Sequence, residues 1–78
     1  MELEKEIIQV VAHTFTADTA SLHAGTSQAD ITAWDSLGQL RLIMQLEAHF
    51  GVAFSIDEIP GLTSISAIAE SIHEKTGR

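Results

Sequence analysis

The 78-residue sequence predicts an all-α fold, a small four-helix bundle with a long first loop and a short third helix. Three observations lead there. Apolar residues recur at spacings of three and four in separate segments, as amphipathic helices require. Residues that cap helices, Ser, Asp and Gly above all, stand at the edges of those segments. No stretch offers a convincing period-two alternation of apolar and polar residues, so no strand is expected.

The first helix is expected over roughly Glu2 to Phe15, with Leu3, Ile7, Val10, Val11 and Thr14 on one stripe. Glu2, Glu4 and Glu6 fall in its first turn, where they complement the positive end of the helix dipole. From Thr16 to Asp35 the periodicity dissolves into Thr, Ser, Ala, Asp and Gly. A connection of about twenty residues is long where about four to six is usual, and long connections tend to be functional. Leu22 and Ile31 are expected to pin it to the core, with Trp34 near its end.

The second helix reads from Ser36 to Phe50. Ser36 and Gln39 have the spacing of a capping box, and Asp35 is an alternative cap. Gly51 stands where a left-handed C-terminal cap favours glycine. A short third helix is expected to begin at Ser55, whose spacing to Glu58 again fits a capping box, and to stop at Pro60-Gly61. The last helix starts near Thr63-Ser64 and places Ile65, Ile68, Ala69 and Ile72 on one face. His73, Lys75 and Arg78 lie near its negative end. There is no internal repeat or low-complexity segment, and one domain over residues 1–78 is expected.

Composition narrows the function. Eleven acidic side chains against four basic ones give a net charge of −7. That balance opposes nucleic-acid binding, which needs cations to displace counterions from phosphates, and favours basic protein surfaces. An apolar content of 45% is too high for a disordered chain. Without cysteine there is neither a disulfide framework nor a thiolate zinc site. The start is acidic where a signal peptide is basic, and no apolar run approaches membrane-spanning length. A cytoplasmic monomer without membrane contact is expected. His13, His23, His49 and His73 are scattered without a His-x-x-x-His pair, so they are read as surface residues and no metal site is expected. Ser36, Asp35 and His49 do not make a triad, because His49 lies more than roughly three helical turns beyond Ser36. An enzyme complete in itself lacks its parts here.

The second helix carries two apolar stripes. At about 100° per residue, Leu42, Ile43, Leu46 and Phe50 share one face. Leu37, Leu40, Met44 and Ala48 form another, rotated by roughly a third of a turn or more. Two readings follow from the pattern: a surface for partners, or a helix buried nearly all round. Ser36 itself, taken alone, is no more than a helix cap.

The run Trp34-Asp35-Ser36-Leu37-Gly38-Gln39-Leu40 resembles the phosphopantetheine attachment motif of acyl and peptidyl carrier proteins. The resemblance continues through Leu42 to Glu47, Phe50-Gly51-Val52, the segment Ser55 to Pro60 and the helix start Thr63-Ser64-Ile65. Over the first 30 residues only the layout is similar. It implies an acyl-carrier-protein-like fold of the free-standing type, acting as a carrier and not as an enzyme. It further implies that a separate phosphopantetheinyl transferase moves a 4′-phosphopantetheine arm from coenzyme A to Ser36, with Asp35 helping to place the metal ion and the serine. Acyl-loading and acyl-processing enzymes would be the further partners. Leu37, Leu40, Arg41, Met44 and Glu47 would meet these partners, and Leu46, Phe54, Ile59, Leu62 and Ile68 would line an acyl pocket, which bulky Phe54 would narrow in favour of short or polar cargo. The family's fatty-acid carriers have a strongly acidic second helix, whereas this one holds a single acid, Glu47, and a single base, Arg41. The departure, with Trp34 before the motif, points to a dedicated polyketide, nonribosomal-peptide or related pathway. An aminoacyl or D-alanyl-type carrier, a housekeeping fatty-acid carrier and, from another class, a cofactor-free helical interaction domain are the alternatives.

Overall fold

A computed structural model describes residues 2–77. Three helices form its frame: α1 (Glu2–Phe15), α2 (Ser36–Phe50) and α3 (Ile65–Thr76). α1 packs on both of the others. Its five expected core residues, Leu3, Ile7, Val10, Val11 and Thr14, are all buried. Leu3, Ile7, Val10 and Val11 meet Leu42, Ile43 and Leu46 of α2 and Ile65, Ile68 and Ile72 of α3 in one apolar cluster.

The helix ends explain why the segments stop where they do. Asp35 caps α2, its Oδ1 accepting from the Gly38 N–H at 2.8 Å. Ser36 is therefore the first helical residue, and the Ser36–Gln39 capping box read from the sequence does not form. Gly51 ends α2 at φ 66°, a left-handed conformation that glycine adopts without steric penalty. Ser64 caps α3 by accepting from the Ala67 N–H at 3.1 Å.

The expected short third helix is reduced to turns and a single 3₁₀ turn over Ile59–Gly61. Half of its capping box is present: the Ser55 N–H donates to Glu58 Oε2 at 2.9 Å. Pro60 stops α-helix from propagating, because it lacks an N–H and disfavours helical backbone at Ile59. Too few residues lie between Ser55 and Pro60 to overcome the cost of nucleation.

The long first loop is tied down along its length. It contains two 3₁₀ turns, Thr19–Ser21 and Gln28–Asp30, and half-buried Leu22 and Ile31 pack against the core as expected. Its middle is joined to the start of α3 by backbone hydrogen bonds. The Gln28 N–H donates to the Thr63 carbonyl (2.7 Å), the Ile65 N–H to that of Thr26 (3.0 Å) and the Ser66 N–H to that of Ala24 (2.9 Å). Two first-turn donors of α3, which no intrahelical acceptor can reach, are thus satisfied by the loop.

Glu58 fastens the 52–62 segment to α3. Its carboxylate accepts from Lys75 Nζ at 2.9 Å and Ser71 Oγ at 3.1 Å, besides the Ser55 N–H. The Lys75 ammonium, followed by the Ser55 amide, holds the carboxyl at about 2, below the ordinary 4.5. A lowered carboxyl favours the folded state above the ordinary value, and this contribution disappears as pH falls toward the folded one. Glu58→Gln is therefore expected to lower Tm at neutral pH, with the gap to the unsubstituted protein closing between pH 4.5 and about 2. Thermal unfolding followed across that range checks it. A gap independent of pH would show that the charge is not what stabilises.

Candidate functional site

The turn that leads into α2 is built from the inside outward. Trp34 is 1% exposed and stacks on Phe15, ring centroids 5.6 Å apart and 25° from parallel. Its Nε1–H donates to Gln39 Oε1, and Gln39 Nε2 donates to the carbonyls of Ile59 (2.9 Å) and Leu62 (3.0 Å). One buried amide thus joins the loop, α2 and the 52–62 segment, using its acceptor and both donors. Gly38 faces the same interior. A Cβ there would collide with the Ala33 carbonyl oxygen and lie 3.0 Å from Phe15 Cε1.

With Trp34, Gly38 and Gln39 held inside, Asp35, Ser36 and Leu37 are left exposed. The Ser36 hydroxyl has no hydrogen-bond partner among the described residues. It sits on the first turn of a 15-residue helix. The Ser36 and Leu37 N–H groups at that turn bond to no described residue. Unpaired first-turn amides and the positive end of the helix dipole suit a phosphoryl group attached at this hydroxyl. Among the described residues no basic side chain is bonded to the serine to activate it as a nucleophile. His49 is at the far end of α2, 3.3 Å from Glu6. Among the described residues no group of three or more His, Asp or Glu side chains is placed to hold a metal ion.

The second stripe of α2 is exposed. Leu37 is 66%, Leu40 54% and Met44 67% accessible, with Ala48 exposed beside them. The alternative of a helix buried all round is thereby removed. Arg41 and Glu47, also expected to meet partners, have structural duties. Arg41 Nη2 donates to the Thr14 carbonyl at 3.1 Å, near the end of α1. Half-buried Glu47 accepts from the Phe54 N–H at 2.9 Å. Leu46, Phe54, Leu62 and Ile68 are buried in the core cluster, and half-buried Ile59 packs against it.

The supporting residues were harder to foresee. Gln39 sits at capping-box spacing, and its spacing gives no sign of the interior role. Only the pairing of a tryptophan with an amide five positions on, both near an expected core, offered a signal.

The sequence profile of the phosphopantetheine attachment-site family matches residues 5–72, and the chain belongs to that family. It is similar to the holo acyl carrier protein of Geobacter metallireducens, known from solution NMR. The two share 31% identity and superpose with a TM-score of 0.86 over 100% of this chain and 90% of that one. Comparison with curated protein sequences gave no match. The chain is thus an acyl carrier protein, and 4′-phosphopantetheine is the covalent group its family holds.

Proposed function

We propose that Ser36 is the attachment residue and that the chain carries acyl groups as thioesters on its arm. The single observation behind this is the exposed, unbonded Ser36 hydroxyl on the first turn of α2, within the residues the family profile matches. In the transfer, Ser36 Oγ bonds to the pantetheine-bearing phosphorus of coenzyme A as the pyrophosphate P–O bond breaks. Adenosine 3′,5′-bisphosphate leaves, and the serine proton passes to a base of the transferase. Asp35 caps α2 through one oxygen, which leaves the other for the transferase's metal ion. The bound arm supplies a terminal thiol that forms thioesters, and the bond-making chemistry belongs to the partner enzymes.

Leu37, Leu40 and Met44 are the face these partners meet, since they flank Ser36 on the exposed side of α2. Arg41 and Glu47 border it. The face is apolar, and the only carboxylate of α2 is already committed to the Phe54 amide. Long-range steering by basic surfaces of a housekeeping fatty-acid synthase is correspondingly weak. This supports a dedicated polyketide, nonribosomal-peptide or related pathway. No described helix is long and apolar enough to cross a membrane. A single-domain, monomeric carrier working in the cytoplasm, where coenzyme A is available, completes the reading.

The test is an intact mass after incubation with coenzyme A, magnesium and a permissive phosphopantetheinyl transferase. The protein is expected to gain one phosphopantetheinyl group, and Ser36→Ala none. Absence of gain with several transferases would favour a cofactor-free interaction domain using the same apolar face.

A further inference from the structure

Where an acyl chain on the Ser36 arm would rest follows from how the 52–62 segment is fastened. This segment bridges α2 and α3 and supplies Phe54 and Leu62 to the core. Side chains of both helices hold it. From α2, Glu47 accepts from the Phe54 N–H, and Gln39 donates to the Ile59 and Leu62 carbonyls. From α3, Ser71 and Lys75 donate to Glu58, and Lys75 Nζ lies 5.4 Å from the centroid of the Phe54 ring. The Phe54 backbone is thus tied to one helix while its ring is covered from the other.

An apolar chain is drawn into a protein because burial removes its surface from water. Here the interior beside the segment is filled by Leu46, Phe54, Leu62 and Ile68, each at most 9% exposed. To enter, an acyl chain has to displace the Phe54 ring. That exchange replaces one buried apolar body by another and exposes the first, so the net gain in burial is small. It also breaks the Lys75–Phe54 contact and strains the Glu58 links. The balance favours a closed core.

Resting on the reading of Ser36 as the attachment residue, we propose that Phe54, covered by the Lys75 side chain that Glu58 holds in place, keeps the cargo outside the protein. The carrier's substrates are then short or polar acyl groups, for which exposure to water carries little penalty. Long alkyl chains are disfavoured because they stay exposed.

The experiment loads the protein from acetyl- and octanoyl-coenzyme A with a permissive transferase and follows thioester cleavage by hydroxylamine by intact mass. Each rate is divided by that of the corresponding acyl-coenzyme A. The two normalised rates are expected to agree within about twofold, because neither cargo is buried. Phe54→Ala is expected to slow octanoyl cleavage about fivefold or more, through burial of the chain in the vacated space, and to leave acetyl cleavage unchanged. Glu58→Gln keeps the ring but loosens its Lys75 cover; it should slow octanoyl cleavage in the same direction and serves if Phe54→Ala does not fold. Octanoyl protection of about fivefold in the unsubstituted protein would overturn the proposal. So would octanoyl rates unchanged in the folded variants. Failure of either acyl group to load, seen at once in the mass, would instead overturn the reading of Ser36 and this inference with it.

Discussion

Replacing Gln39 with leucine is expected to destabilise the fold by about 2 kcal/mol or more, since two buried polar groups, the Trp34 indole N–H and the Leu62 carbonyl, lose their partner at once. The Ile59 carbonyl loses the same amide but keeps the Leu62 N–H at 3.1 Å. Each unsatisfied buried group costs about 1–3 kcal/mol, and leucine's own burial recovers part of the total. A 78-residue domain has only about 4–12 kcal/mol of stability to lose. A shift of that size corresponds to a fall in Tm of roughly 8 °C or more. Trp34 is the single tryptophan, so its emission reports the same site, and a red shift is expected as water reaches the indole. Urea unfolding followed by circular dichroism gives the energy. Combining Gln39→Leu with Trp34→Phe removes one orphaned donor, so the double variant should lose less than the two single losses added together. A midpoint unchanged by Gln39→Leu would show that water or side-chain rearrangement replaces the amide at no cost.

Gly38→Ala is the second large effect, and two opposed tendencies decide its sign. Alanine is favoured over glycine inside a helix by about 1 kcal/mol. Against this, its Cβ would overlap the Ala33 carbonyl oxygen and press on Phe15. Overpacking of this kind costs about 1–3 kcal/mol, and a backbone atom cannot rotate away as a side chain can. Because the overlap is with a backbone oxygen, the upper part of that range applies and the overlap wins, with a net loss of up to about 2 kcal/mol. The displaced turn carries Trp34 and Asp35, so, with Ser36 as the proposed attachment residue, its modification should slow even where the variant remains folded. Gly61→Ala is the matching control, because an added Cβ there meets nothing within 4 Å. Denaturation midpoints and modification rates measured side by side check both statements. A Gly38→Ala protein more stable than the original would mean that the 31–34 turn yields easily.

How legible the fold was depends on which groups do the holding. The bounds of α1 and α2 were readable because apolar side chains at helical spacing and residues such as Gly51 leave a direct trace in the sequence. The excess of apolar surface on α2 was readable as two stripes, but whether Leu37, Leu40 and Met44 were exposed or buried was not, because periodicity places residues on a face without saying what covers it. The attachments of the first loop were not, because Gln28, Ile65 and Ser66 make them through backbone amides that any residue except proline supplies. The structural bonds of Arg41 and Glu47 were hidden for the same reason. Their acceptor and donor, the Thr14 carbonyl and the Phe54 amide, belong to the main chain and distant segments. Gln39 was misplaced because the spacing of a cap and the spacing of an interior amide are identical. In the 52–62 segment the capping signal at Ser55 and Glu58 was real, but Pro60 allowed too little chain for it to start an α-helix.

The stitching of residues 24–28 to 63–66 has a consequence in time as well as in space. Its hydrogen bonds join positions about forty residues apart, and contacts between distant parts of a chain close slowly compared with helix formation. During synthesis, α1 and α2 emerge before the partners of the first loop exist. The loop that leads to Ser36 acquires its final course only once α3 has been made. The order of events is thereby set by topology: the exposed Ser36 reaches its finished setting after α3 arrives, and, with Ser36 as the proposed attachment residue, a half-made chain would offer a transferase an unfinished target.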